Sequence, residues 1–210
     1  MLNIKKKLFL SPGAVCQRIW QYYIYRNINQ TSAVKILEVG SGNGLNSILL
    51  SCLFPKKNFF GIDISSVGIK YSKKILKNKV ENKFFYGFPV IPKKKIGKVD
   101  FINSNAKNMK FKNNSFDFVF SVLALEQMDD IKKKVINEMV RVSSKYICFV
   151  EPFSDVNKTF LRKVHINTNK YFSYKINDLE KNHKLKIINI DFDHPKKITL
   201  GAACVLCKKY

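Results

Sequence analysis

From Val34 to the end of the chain, short apolar runs alternate with longer amphipathic stretches. Val34 to Val39 is mostly apolar and runs into glycine, which predicts a buried strand. Leu45 to Phe54 predicts a helix and Asn58 to Ile64 a second strand. Ser65 or Ser66 then caps a helix that runs to about Lys77. Val99 to Ile102 and Phe116 to Leu123 predict two further strands, followed by a helix from about Asp129 to Val142 and a fifth strand from Lys145 to Val150. Ile176 to His183 predicts a short helix, and Leu185 to Phe192 and Ala202 to Lys208 the last two strands. About ten residues, with Pro195 and Gly201, join those two, too few for a crossover helix, so they are expected to pair antiparallel. Val80 to Lys98 and Phe153 to Lys175 carry no clear period.

Strands alternating with helices predict an α/β fold: a doubly wound, mostly parallel seven-stranded sheet with an antiparallel last strand and helices on both faces. Ahead of it, Ser11 and Pro12 open a helix over Ala14 to Ile28 that carries Val15, Ile19, Trp20, Tyr22, Tyr23 and Ile24. Residues 1–30 are therefore expected to form a helical lid segment and residues 31–210 the main body of what is a single domain overall. In such sheets ligands bind at the carboxyl ends of the strands.

Composition changes this picture little. An apolar fraction of 46% over 210 residues supplies the core of one domain. The formal charge of +23 is carried almost wholly by Lys; the arginines are Arg18, Arg26, Arg141 and Arg162. Lys, Asn and Ile share A/T-rich codons, so base composition alone can supply the excess. Solvated Lys faces are one account and an anionic partner is the other, with Arg, the better bidentate phosphate ligand, scarce. Cys16, Cys52, Cys148, Cys204 and Cys207 show no disulfide spacing. Cys204-x-x-Cys207 lies in an apolar run without a second pair or a His partner, so free buried thiols and no metal are expected. Lys5 to Lys7 precede an apolar stretch cut short by Ser11-Pro12-Gly13, too short for a signal peptide. No apolar run reaches the roughly 18 residues of a membrane span. A cytoplasmic protein is expected.

Candidate chemistry begins at Glu38-Val39-Gly40-Ser41-Gly42-Asn43-Gly44. Glycines at alternate positions after a strand let the chain turn sharply and let a ligand approach the main chain, and the next helix N-terminus offers N–H groups to an anion. The spacing fails the dinucleotide pattern Gly-x-Gly-x-x-Gly: from Gly40 the last position is Leu45, and from Gly42 it is Ser47. A phosphate-binding loop ending Gly-Lys-Ser/Thr is absent from the sequence.

Ile36 to Gly44 resembles motif I of the class I S-adenosylmethionine-dependent methyltransferases, acid-x-Gly-x-Gly-x-Gly. Gly61-Ile62-Asp63-Ile64-Ser65 resembles the family's second strand, whose terminal acid binds the ribose hydroxyls. Ser104-Asn105-Ala106 stands where the family has Gly-Asp-Ala beside the adenine, and Asn113 to Val119 resembles the loop into strand four. The resemblance implies S-adenosyl-L-methionine as cofactor, S-adenosyl-L-homocysteine as product, and a binding set of Glu38, Gly40, Ser41, Gly42, Gly44, Asp63, Ile64, Asn105, Ala106 and Ser121. One departure is Asn105, which accepts and donates where the family's Asp only accepts.

The sulfonium already activates the methyl group, so positioning the nucleophile supplies much of the rate, with a base where an oxygen attacks. Base candidates are His165 and Glu126, with His194 third; Tyr171, Phe172 and Tyr174 are candidates for the acceptor pocket or for packing. Asn/Asp-Pro-Pro-aromatic, the signature of amino-methylating DNA enzymes, is replaced by Ser121-Val122-Leu123-Ala124, and Cys148 lies inside a strand rather than at its end. The expected acceptor is a small molecule, sugar or lipid-linked group. An RNA methyltransferase using Lys93 to Lys95 and Lys132 to Lys134, and a non-catalytic binding protein of the same fold, are the alternatives. Peripheral membrane contact through the first helix and Lys5 to Lys7 also stays open.

Overall fold

The computed structural model describes residues 12–77, 96–128, 130–156, 173–192 and 201–210. Its elements are α1 (Pro12–Asn29), β1 (Lys35–Val39), α2 (Leu45–Leu53), β2 (Asn58–Asp63), α3 (Ser66–Lys77), β3 (Lys98–Asn103), β4 (Phe116–Val122), a 3₁₀ turn (Leu125–Gln127), α4 (Lys132–Val142), β5 (Ser143–Glu151), α5 (Asn177–His183), β6 (Leu185–Asp191) and β7 (Ala203–Lys209). The strands form one seven-stranded sheet in the order β3-β2-β1-β4-β5-β7-β6. All neighbours run parallel except around β7, which is antiparallel to both β5 and β6. The doubly wound fold and the antiparallel closing pair are as the sequence predicts. The helix predicted from about Asp129 starts instead at Lys132, after the turn in which the Ile131 amide donates to the Met128 carbonyl.

Alternation along each strand divides the core in two. Ile36, Phe118, Phe120, Cys148 and Val150 pack with Trp20, Tyr23, Ile24 and Ile28 of α1 and Leu49 and Leu50 of α2. Leu37, Val39, Val119, Ile147 and Phe149 pack with Val135, Ile136 and Met139 of α4 and Leu179 of α5. Cys204 belongs to the first cluster and Cys207 to the second, so Cys204-x-x-Cys207 splits across the sheet and cannot converge on one ion.

The first helix, expected as a lid segment of a single domain, packs on the sheet. Ile24 and Ile28 have no exposed surface, and the Arg26 guanidinium pairs with the Asp191 carboxylate at the end of β6. Burial of Trp20, Tyr23, Ile24 and Ile28 stabilises by about 1.5–3 kcal/mol per side chain. α1 is a structural layer of the domain. Among the described residues, no helix is long and apolar enough to cross a membrane.

Candidate functional site

The parallel strands β1, β2, β3, β4 and β5 all end on one edge, and the glycine turn crosses it between β1 and α2. Gly40, Gly42 and Gly44 all adopt positive φ, at 74°, 52° and 76°. The amides of Gly40 and Ser41 donate to the Ile62 carbonyl at 2.9 Å, which fastens the turn to β2. A Cβ on Gly40 would run into Ala124, and one on Gly44 into Phe101 and Ser72. A Cβ on Gly42 would meet nothing within 4 Å. Gly42 therefore borders open space, and a Cβ there would fill it.

Asp63, at the end of β2, completes this cradle. Its Oδ2 accepts from the Gly42 amide at 2.7 Å and its Oδ1 from the Ser65 amide at 2.8 Å, opening α3. The group is half-buried, and each carboxylate oxygen keeps a second lone pair for a ligand hydroxyl. Next to it, Ile64 is 71% exposed, an apolar surface at the rim of a polar site. Asn103 holds this rim in place, its Nδ2 donating to the carbonyls of Asp63 and Ile64 at 3.0 and 2.9 Å. Asn105 is exposed, and its Oδ1 accepts from the Lys107 amide at 3.0 Å, which leaves it both side-chain N–H groups and a second lone pair for a ligand. Ala106 is buried beside it.

Glu38 points to the α2 side of the sheet and is 1% exposed. Oε1 accepts from Asn46 Nδ2 at 2.9 Å; Oε2 accepts from the Ser47 hydroxyl at 2.6 Å and the Ser47 amide at 3.2 Å. Gly44 has no side chain with which to cap α2, and the Glu38 carboxyl group supplies the missing acceptor. Burial pushes Glu38 up to about 7, against the lowering effect of these hydrogen bonds. Asn46 in turn accepts from Gln21 of α1 at 2.8 Å, and Gln21 from Arg18 at 2.6 Å.

Ser41 is buried within the turn. Ser121 is likewise fully buried, and its hydroxyl donates to Glu151 Oε1 at 2.9 Å. The position shares the strand face of Val119, under α4. Glu126 lies half-buried in the 3₁₀ turn that follows β4. His165, His194, Tyr171, Phe172 and Lys93 to Lys95 lie outside the described residues. Tyr174 packs against the core instead of lining a pocket: its hydroxyl donates to His183 Nε2 at 3.0 Å, while His183 Nδ1 donates to Asn137 Oδ1 at 2.7 Å. Burial holds His183 down to about 4, so it stays neutral in this relay.

Two residues here escape a reading of the sequence alone. Asn103 ends a strand like many polar residues, and Glu151 precedes a proline at a strand end; their partners come from segments far away in the chain.

A family model described as a methyltransferase domain matches residues 37–146, more than half of the chain. Solved structures share the fold. An S-adenosylmethionine-dependent methyltransferase from Methanosarcina mazei is 20% identical, with a TM-score of 0.69 over 90% of this chain and 97% of that one. Magnesium protoporphyrin IX methyltransferase from Synechocystis PCC 6803, with bound S-adenosylhomocysteine, is 12% identical, with a TM-score of 0.66 over 94% and 84%. The cyclase SpnF is also 12% identical, with a TM-score of 0.65 over 91% and 80%. The last carries a warning, since this fold also serves other chemistry.

Proposed function

Because the chain belongs to the methyltransferase domain family, whose methyl donor is S-adenosylmethionine, we propose that it transfers a methyl group from that donor to a small-molecule, sugar or lipid-linked acceptor. The observation that carries the reading is the open space at Gly42 beside the Asp63 carboxylate. Those features fit the donor: Asp63 accepts from vicinal hydroxyls, Ile64 offers an apolar face to a ring, and Asn105 donates to a ring nitrogen. Gly40, Ser41, Gly42 and Gly44 lie along the methionine portion, held by Ile62 and by the Glu38-capped start of α2. The bound donor supplies a methyl group already activated by its sulfonium centre, so the protein's task is to hold a nucleophile in line and keep water out.

The wall next to Gly40 supports this acceptor class. Ala124 sits against Gly40, and Met128 lies just beyond. Residues 121–128 contain no Lys or Arg, and their single charged side chain is Glu126. Such a wall suits an uncharged or cationic acceptor better than the phosphate backbone of a nucleic acid, whose affinity rests on cationic contacts. Glu126 is the described candidate for taking a proton from the nucleophile, with His165 the second candidate.

An acceptor screen that measures S-adenosylhomocysteine release tests this. Turnover with a neutral small molecule, lost on Glu126→Gln with donor affinity retained, is the expected outcome. Turnover with RNA alone would replace the acceptor assignment.

A further inference from the structure

We propose that Glu151 is a positioning residue for methyl transfer: its buried carboxyl group clamps the turn Leu123–Gln127 against Gly40 and so sets the β4 wall of the site. This rests on the methyl-transfer reading above, but the clamp itself can be tested without it.

Three donors converge on one oxygen. Glu151 Oε1 accepts from the Ser121 hydroxyl at 2.9 Å, the Ala124 amide at 3.3 Å and the Leu125 amide at 3.2 Å. The residue has no exposed surface, and Oε2 is buried with no hydrogen-bond partner among the described residues. A buried carboxylate with one bare oxygen is costly, whereas a proton on Oε2 removes the charge and leaves Oε1 free to accept. Burial pushes the group up to about 8, and the neighbouring charge of Glu126 adds to the rise. Glu151 is therefore held as the neutral acid.

The turn it grips is strained at its first residue. Leu123 takes φ 48°, a left-handed conformation that costs an L-residue about 1–2 kcal/mol. Two anchors at the end of β5 oppose that cost: the Val150 carbonyl, which accepts from the Leu123 amide at 2.9 Å, and Glu151 Oε1. On its far side the turn presents Ala124 Cβ to the place where Gly40 lacks one. A continuous line of contact therefore runs from Glu151 through Ala124 to the glycine turn.

The test uses the full chain, with S-adenosylhomocysteine as probe, from about pH 6 to about pH 9. Binding and amide hydrogen exchange at Ala124 and Leu125 are measured together for wild type, Glu151→Gln, Glu151→Leu and Ser121→Ala. Glutamine keeps the accepting oxygen, so its affinity stays within about twofold of wild type, and its turn loses the alkaline fall in protection that wild type shows as Glu151 ionises. Leucine loses affinity by about tenfold or more, and both amides exchange faster. Ser121→Ala, which leaves two of the three donors, falls between them and decides the matter if the leucine variant does not fold. The proposal is overturned if glutamine behaves like leucine, or if the leucine and Ser121→Ala variants match wild type in binding and exchange. Absence of probe binding by wild type would count against the methyl-transfer reading alone, while exchange at Ala124 and Leu125 still decides the clamp.

Discussion

The Gly42 amide donates to the Asp63 carboxylate at 2.7 Å, so the acid that ends β2 is bound to the turn that ends β1 before any ligand arrives. One side chain thus shapes the glycine turn and, in the proposed complex, accepts from the donor hydroxyls. Asp63→Ala is expected to weaken donor binding by about 1.5–3 kcal/mol, the loss of a charged hydrogen-bonding partner. Calorimetric titration with S-adenosylmethionine checks this; unchanged affinity would remove Asp63 from the site.

The glycines of the turn separate folding from binding. Gly42→Ala meets no neighbour, so its cost in stability is limited to the left-handed backbone, about 1–2 kcal/mol, while its methyl group intrudes on the donor. Gly40→Ala carries the same backbone cost and also collides with Ala124. The expected order is a larger fall in Tm for Gly40→Ala and a fall in donor affinity at modest Tm change for Gly42→Ala. Equal Tm values, or full donor affinity in Gly42→Ala, would count against this geometry.

The legible parts of the sequence were those in which residue type forces conformation. Glycines at alternate positions after an apolar run define the turn, and an acid at the end of the next run defines Asp63. Glu151 was illegible because its partners, Ser121, Ala124 and Leu125, are 26 to 30 residues away, and no periodicity records a hydrogen bond across a sheet. α1 admits two readings for a different reason. An aromatic amphipathic helix serves equally as a cover or as a core layer, and only the Ile24 and Ile28 contacts with the sheet decide between them. Glu38 is legible as the acid before the turn, but its burial against Ser47 depends on which strand face it occupies next to α2.

The two buried acids make stability depend on pH. Glu38 and Glu151 are raised to about 7 and about 8, so between the ordinary value of 4.5 and those values the fold holds protons that the unfolded chain has released. Their stabilising contribution is complete below pH 4.5 and declines as pH rises through their folded values. His183, lowered to about 4, acts the opposite way, but only below its ordinary value of 6.5. Denaturation between about pH 6.5 and 8.5 therefore isolates the acids, and wild-type stability is expected to fall across it. Glu151→Gln should flatten the upper part of that fall by on the order of 1 kcal/mol. An equal slope in both proteins would show that Glu151 is ionised in the fold.

The role of α1 as a core layer predicts that truncation after Asn29 abolishes cooperative unfolding, because it removes Trp20, Tyr23, Ile24 and Ile28 together. Asp191→Ala, which leaves Arg26 without its carboxylate, should lower stability by about 1–3 kcal/mol without touching the donor site. A truncated chain with a sharp thermal transition would contradict this role.

The central claim is that the edge bounded by Gly42, Asp63 and Ile64 binds S-adenosylmethionine. Titrating the full chain with that donor in a calorimeter tests it most directly. A saturable heat at one equivalent, lost on Asp63→Ala, is the predicted result; no measurable binding by the wild-type chain would contradict it.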